Sequence, residues 1–312
     1  MRPTPGSRPT LLIVGCGDVG LRVARILRGR WRLLALTSSG DRLGELRGAG
    51  LVPLVGDLDR RAGLGRLADL ADAVLHLAPP ARHGSTDPRT AHLLAALSRS
   101  VRLRRLVYVS TSGVYGDCGG ARVDETRAAN PATDRARRRV DAEQRLRHFG
   151  RHSGAAVTIL RVPGIYALGR AGGDPRERLA RGTPVLAAAD DIYTNHIHAD
   201  DLARACVAAL VRGPRQRVVN VSDDSALKTA DYFDLAADLF ALPRPPRLPR
   251  SDAAAVMSPM QMSFLGESRR LVNTRMKREL RLMLRYPTVA QGLRVEGAAT
   301  EAPSNPPENE TP

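Results

Sequence analysis

The chain predicts an α/β fold, a doubly wound parallel sheet covered by helices on both faces, with a smaller lobe toward the C-terminus. Three observations carry this prediction. Short apolar runs alternate with segments of helical spacing through the first half of the chain. The first apolar run ends in a glycine-rich loop that opens a helix. No uninterrupted apolar run reaches the roughly 18–20 residues of a membrane span, so the apolar 43% of the chain is available for a core.

Taken in order, "TLLIVG" (10–15) is a short apolar strand, and "LRVARILRG" (21–29) has helical spacing. "RLLALT" (32–37) is a second strand, and "DRLGELRGAG" (41–50) a helix with a glycine stop. "LVPLVGD" (51–57) and "ADAVLHLA" (71–78) are the third and fourth strands, followed by the helix "TAHLLAALSRS" (90–100). "RLVYVSTSGVYG" (105–116) is the fifth strand with its loop, and "AVTILRVPGIYA" (155–167) the sixth. Strands alternating with helices imply a parallel sheet buried on both faces. "PRPPRLPRS" (243–251) reads as an extended loop, because proline is excluded from helix interiors and central strands. This divides the chain into a polar leader (1–9), a nucleotide-binding core (10–160), the remaining core elements with a smaller substrate lobe (161–296), and a tail of disordered composition (297–312).

The formal net charge is +16, yet Lys228 and Lys277 are the only lysines, and the arginines are spread along the chain. That distribution disfavours nucleic acid as the partner. The N-terminus lacks the apolar stretch of a signal peptide, and Cys16, Cys118 and Cys206 show no metal-ligand spacing. A reducing, cytoplasmic setting is expected, with no membrane and no metal.

"LLIVGCGDVGLRVARIL" carries Gly15, Gly17 and Gly20 as G-x-G-x-x-G between an apolar strand and an amphipathic helix, the context a dinucleotide-binding Rossmann motif requires. Gly15 permits the tight turn, Gly17 the approach of a pyrophosphate, and Gly20 the packing of helix on strand. Asp18 and Val19 open the helix, whose N–H groups and dipole favour phosphates. The second strand ends at Thr37 and Ser38 with Arg42 nearby, and no acid stands where an NAD ribose is usually bound. NADP is therefore expected over NAD. Asp57 is a candidate for the adenine amino group or for a helix N-cap, with Leu58 beside it, and Ala78 should lie under the adenosine.

The motifs "GCGDVG", "GDLD", "HLAPP", "YVSTSGVYGD", "VDET", "NPAT", "LRVPGIYALGR", "NHIHADDLARACVAAL" and "VVNVSDD" occur in one order across roughly residues 10–290. On these the chain resembles the extended, atypical short-chain dehydrogenases/reductases of the NAD(P)-dependent epimerase/dehydratase group. "SRRLVNTRMKREL" and "LRYPTVAQGL" fit its YeeZ-like bacterial branch. The resemblance implies a nucleotide sugar or another small metabolite as substrate, and is compatible with a homodimer. It implies a Ser/Thr after the fifth strand that bonds the substrate oxygen, and a Tyr-x-x-x-Lys on the next helix as acid/base and ribose ligand. The hydroxyl position falls on Thr111. The Tyr and Lys positions fall on Arg135 and Arg139, so both defining residues are absent.

"ATDRARRRVDAEQRL" (132–146) places five arginines in fifteen residues. On a helix, Ala136, Ala142, Leu146 and Phe149 form the apolar side, and Arg135 and Arg139 fall on that side, one turn apart. The other three arginines are expected at the surface. Arg139 can replace lysine as a donor to ribose or phosphate. Arg135 cannot replace tyrosine as acid/base, because guanidinium keeps its proton near neutral pH.

By the same resemblance, Pro163, Gly164 and Tyr166 border the nicotinamide and substrate side, and Asn195 and His196 are pocket residues. Arg269 and Arg270 stand where some relatives contact a substrate diphosphate. Asp200 or Asp201 is expected to cap the helix "DLARACVAALVRG". The expected function is that of an NAD(P)-binding oxidoreductase or epimerase acting at a carbonyl or hydroxyl group, with Thr111, Arg139 and Arg135 at its catalytic centre. The alternative is a catalytically inactive NAD(P)-binding sensor or scaffold.

Overall fold

In the computed structural model, residues 8–294 are described, and the expected tail and most of the leader lie outside them. The first apolar run forms β1 (Thr10–Val14), buried throughout. The glycine loop leads into α1 (Asp18–Leu27), then β2 (Arg32–Thr37), α2 (Leu43–Gly48) and β3 (Val52–Val55). Next come β4 (Ala73–His76), α3 (Pro88–Leu97), β5 (Arg105–Thr111), a short β6 (Arg122–Val123), the long α4 (Asp134–Ser153) and β7 (Ala156–Val162). The second half adds β8 (Gly164–Tyr166), α5 (Pro175–Ala180), β9 (Val185–Leu186), β10 (His196–His198), α6 (Ala199–Arg212) and β11 (Arg217–Asn220). It closes with α7 (Thr229–Leu239), β12 (Arg247–Leu248), α8 (Arg250–Val256), α9 (Pro259–Phe264), β13 (Arg270–Leu271), α10 (Thr274–Glu279) and α11 (Val289–Leu293).

Seven strands form one parallel sheet in the order β11-β7-β5-β4-β1-β2-β3. Alternation along the strands serves both faces. Leu11, Ile13, Leu75 and Val107 pack with Val23 of α1 and Leu202 and Cys206 of α6. Leu12, Val14, Val74 and Leu106 pack with Leu93 of α3 and Leu146 and Phe149 of α4. The strand order reverses between β1 and β4, and a crevice at the carboxyl ends of such a pair is where open α/β sheets bind ligands.

The second half differs from expectation in three places. The run 155–167 is two strands, β7 in the main sheet and β8 paired with β10, with Pro163 between them. β7 also runs through the expected division at residue 160. Helix α6 is capped by His198, whose Nδ1 accepts the Asp200 N–H at 3.2 Å, rather than by either aspartate. Asp201, in the first turn, is fully buried and accepts the N–H groups of Arg285 and Tyr286 (2.9 and 2.8 Å). That fixes the chain before α11 to the core.

Candidate functional site

The cleft at the switch point is shaped by three glycines with different tasks. Gly15 has φ +81°, and a Cβ there would lie 2.5 Å from the Ala78 backbone, so β1 and β4 approach too closely for a side chain. A Cβ on Gly17 would meet nothing within 4 Å. A Cβ on Gly20 would lie 3.0 Å from Cys16 Sγ and 3.3 Å from Ile13, which is the helix packing on its strand. Gly17 is also the N-cap of α1 and offers no side-chain cap, so no protein side chain competes there for the first-turn N–H groups. This open, donor-rich turn fits the pyrophosphate of a dinucleotide.

Beside it lies a cavity of about 270 Å³ lined by Gly15, Thr37, Ser38, Arg42, Asp57, Leu58 and Ala78, joined by Ser39 and Arg89. The spacing reading therefore converges on one space, with Arg89 as an addition that sequence reasoning missed. Arg89 reaches the cavity from α3, pinned by Asp59 (2.6 and 2.7 Å). Arg42 donates to the Cys16 carbonyl (2.7 Å) and forks onto Glu45 (2.9 and 3.1 Å). Asp57 caps no helix; its carboxylate accepts the Asp59 N–H (2.9 Å) and holds the turn after β3. The Asp18 carboxylate is engaged by Arg22 and Arg170 (2.9 and 3.1 Å), which leaves Asp18 and Val19 to act through their backbone. Pro163 is half-buried at the end of β7 and does not line this cavity.

The carboxyl end of β5 carries the second constellation. Thr111 caps the short turn after β5, accepting the Gly113 N–H at 3.2 Å. Beneath it, Glu143 of α4 is buried and clamped by Arg161 (3.1 and 2.7 Å) and by the Ser110 hydroxyl (2.7 Å). Arg161 in turn lies 4.6 Å from the Tyr115 ring. This buried pair sets the register of α4 against β5 and β7, and no motif reading singled it out.

Arg139 does face the sheet: its Nη1 donates to the Tyr108 hydroxyl (2.8 Å) and the Val109 carbonyl (3.1 Å). Arg135 lies 4.0 Å from the Phe264 ring of α9. Burial draws its guanidinium below the usual range; Glu267 opposes this, and Arg138, Arg139 and Arg269 add to it. Arg138 corrects the surface expectation. It is buried and donates to the Gly84 carbonyl, because the loop 81–86 folds over that flank of α4. Of the five arginines in 132–146, Arg137 and Arg145 lie at the surface, each paired with an aspartate on its own helix.

Glu267 is brought beside Thr111 only by the tertiary fold. A Cβ on Gly113 would lie 3.6 Å from Thr111 Oγ1 and 3.7 Å from Glu267 Oε2, so hydroxyl and carboxylate flank one point. Arg269 forks onto Glu267 (2.9 and 3.0 Å) and donates to the Gly116 carbonyl (2.6 Å). Arg270 donates to the Gly120 carbonyl (2.8 Å) and stacks 4.6 Å from Tyr193. Both arginines thus hold the loop after β5.

Of the expected pocket residues, Tyr166 and His196 line a second cavity, of about 280 Å³, under α7. Asn195 does not: its side chain clips β13, donating to the Arg269 carbonyl (2.9 Å) and accepting the Leu271 N–H (2.7 Å).

Known proteins share this architecture. A conserved protein of unknown function from Silicibacter pomeroyi superposes with a TM-score of 0.77 at 30% identity, over 91% of this chain and 96% of that one. A UDP-glucose 4-epimerase from Thermotoga maritima, solved with UDP-glucose, gives 0.74 at 18% identity over 91% and 96%. A UDP-glucuronic acid 4-epimerase from Bacillus cereus, solved with NAD, gives 0.72 at 16% over the same shares. In sequence, the YeeZ protein of Escherichia coli K12 is 31% identical over 170 residues, 51% of this chain and 59% of that protein, so the match spans less than two thirds of that relative. No helix among the described residues is long and apolar enough to cross a membrane. The profile of the NAD dependent epimerase/dehydratase family matches residues 11–222, from β1 through β11, and the chain belongs to that family.

Proposed function

We propose that the switch-point cleft binds a nicotinamide dinucleotide, NADP in preference to NAD. We further propose that the protein is an oxidoreductase or epimerase acting on a nucleotide sugar or another small carbonyl or hydroxyl metabolite. The observation that carries the reading is the uncapped, unobstructed turn at Gly17, opening beside a cavity lined by Thr37, Ser38, Arg42, Asp57, Leu58 and Ala78. A nicotinamide dinucleotide bound there supplies a hydride acceptor or donor. The backbone of Asp18 and Val19 offers N–H donors to the phosphates. Thr37 and Ser38 offer hydroxyls, and Arg42 a cation, where an acid would repel a 2′-phosphate. Pro163, at the end of β7, borders the nicotinamide side.

Thr111 binds the substrate oxygen through its hydroxyl. Arg139, anchored to β5 through one nitrogen, has further donors for a ribose or phosphate. Arg135 stands at the tyrosine position and contributes charge only, since it cannot exchange a proton near neutrality. The Glu267 carboxylate flanks the same point as the Thr111 hydroxyl, and we assign it the proton of the substrate hydroxyl.

Titration with NADPH and NADH, followed by nicotinamide fluorescence, tests the binding half. Micromolar NADPH affinity is expected, and absence of both affinities would sink the reading. Oxidation of NADPH by a panel of carbonyl compounds, lowered about 100-fold in Thr111→Val, tests the chemical half. The burial of Arg135 under Phe264 also favours a second reading, a sensor or scaffold that binds the dinucleotide without turnover. Tight binding with no oxidation across the panel would select it.

A further inference from the structure

The cavity under α7 contains a cation that the protein does not neutralise. Arg178, on α5, lies 4.4 Å from the Phe233 ring and donates through Nη2 to the Pro184 carbonyl (2.8 Å). Its Nε is buried without a hydrogen-bond partner. The ionisable groups that act on it are Arg181, a second cation at the exposed rim, and Tyr232; no carboxylate pairs with it among the described residues. Burial holds its guanidinium below the usual range, and Arg181 pushes the same way.

A second unpartnered group lines the same space. His196 is 8% exposed, stacks on Tyr232 at 4.1 Å between ring centres, and has a buried Nδ1 with no partner. Of the two acids of the lining, Asp174 is neutralised by Arg176, and Glu177 is exposed. Asp174 is forked by Arg176 (2.6 and 3.1 Å) and accepts the Gly169 N–H (2.8 Å); Glu177 accepts the Gly172 N–H (3.2 Å). A half-buried guanidinium with no counter-charge is costly, and its planar fork matches a carboxylate or phosphate oxygen pair. By contrast Arg269, where a substrate diphosphate was expected, already has Glu267 and a backbone carbonyl.

We propose that this cavity is an oxyanion subsite in which Arg178 and Arg181 take a carboxylate or phosphoryl group of the substrate. The role as a substrate subsite rests on reading the switch-point cleft as the cofactor site. The two spaces are tied by Arg170, which bonds the Ile165 carbonyl on the cavity wall (3.1 Å) and Asp18 at the head of α1 (3.1 Å). The substrate is accordingly a small metabolite that carries an anionic group apart from its reacting carbon.

The test is calorimetric titration of the full chain with inorganic phosphate and with malonate, with NADPH present to occupy the glycine loop. One anion per chain is expected. Arg178→Gln should weaken it about tenfold or more, the effect of losing a charge-assisted fork, and Arg181→Gln about threefold. Arg178→Lys, which keeps the charge without the fork, should fall between native and Arg178→Gln. NADPH affinity should stay unchanged in all three. The exposed position of Arg181 keeps the test valid even where Arg178→Gln folds poorly. Preference for phosphate or malonate identifies the phosphoryl or the carboxylate source. No anion binding, or binding equal in native protein and both glutamine variants, would overturn the subsite. Loss of NADPH binding with an Arg178-dependent anion site intact would instead remove the dinucleotide reading and leave the subsite standing.

Discussion

Two regions along the carboxyl edge of the sheet handle polarity in opposite ways. At the switch point the glycine loop is kept bare: Gly17 has open space where a side chain would be, and α1 begins without a side-chain cap. At the end of β5 the charged groups are crowded and paired with one another: Glu143 with Arg161 and Ser110, and Glu267 with Arg269. The first region is prepared for an external anion. The second already contains its counter-charges, so a ligand there competes with the protein. The lobe cavity with Arg178 follows the first pattern with side chains instead of backbone.

The comparison breaks most sharply at Glu143. Glu143→Ala should cost about 3–5 kcal/mol, because Arg161 would remain buried without its carboxylate. Urea unfolding reads this, and a loss below about 1 kcal/mol would mean that the pair does not hold β5 and α4 together. The glycines come next. Gly15→Ala combines a Cβ 2.5 Å from the Ala78 backbone with a left-handed φ, and should lose about 3 kcal/mol together with NADPH binding. Gly17→Ala should stay within about 1 kcal/mol of native yet weaken NADPH about tenfold. Equal stability losses in the two variants would erase the distinction between a packing glycine and a ligand-facing one.

At the second region, Thr111→Val and Glu267→Gln should each lower turnover about 100-fold while leaving NADPH affinity intact. Changed NADPH affinity with unchanged turnover would place both residues on the cofactor instead.

Acid and alkali should act on different groups. Burial holds His76 and His196 neutral, with pKa values pushed down to about 3 from 6.5. Between those values the unfolded chain binds more protons, so their contribution to stability is present above pH 6.5 and lost as the pH falls toward 3. Burial raises Asp223 from 3.8 to about 8, which has the opposite consequence. The folded state holds the extra proton between those limits, so stability falls as the pH rises from 3.8 through 8, by about 1.5 kcal/mol over the upper part of that range. A stability maximum near pH 6.5 is expected, moving upward in Asp223→Asn; an unmoved maximum would show that Asp223 titrates normally. The smallest effect is expected at Arg42, already shared with Glu45. Arg42→Ala should narrow the preference for NADPH over NADH by about three- to tenfold, read as a ratio of two dissociation constants.

Local signals made the cofactor half legible. A strand followed by G-x-G-x-x-G and a helix is contiguous, and parallel packing then brings Thr37, Asp57 and Ala78 to the same edge because each ends a strand of that sheet. Of the residues proposed for the chemistry, Thr111 was legible because it ends a strand too, and Arg135 and Arg139 because the resemblance places a tyrosine and a lysine at their positions. Arg138 was misplaced because helical periodicity gives a direction but not the loop that covers it. Asn195 looked like a pocket residue, but its amide is spent on the segment at β13, on partners 74 and 76 residues away in sequence.

The amino-acid sequence by itself determined the α/β alternation, the glycine turn and the residues at the ends of the early strands. These follow from periodicity and from spacing within single βα units, whereas reading Arg135 and Arg139 as replacements for a tyrosine and a lysine rests on the resemblance. Only the tertiary structure decided that Glu267 flanks Thr111, that Glu143 and Arg161 neutralise each other beneath it, and that Arg178 has no carboxylate partner among the described residues. Those facts depend on which distant segments share a dry space, and the cost of burying charge is set by the neighbours that folding supplies.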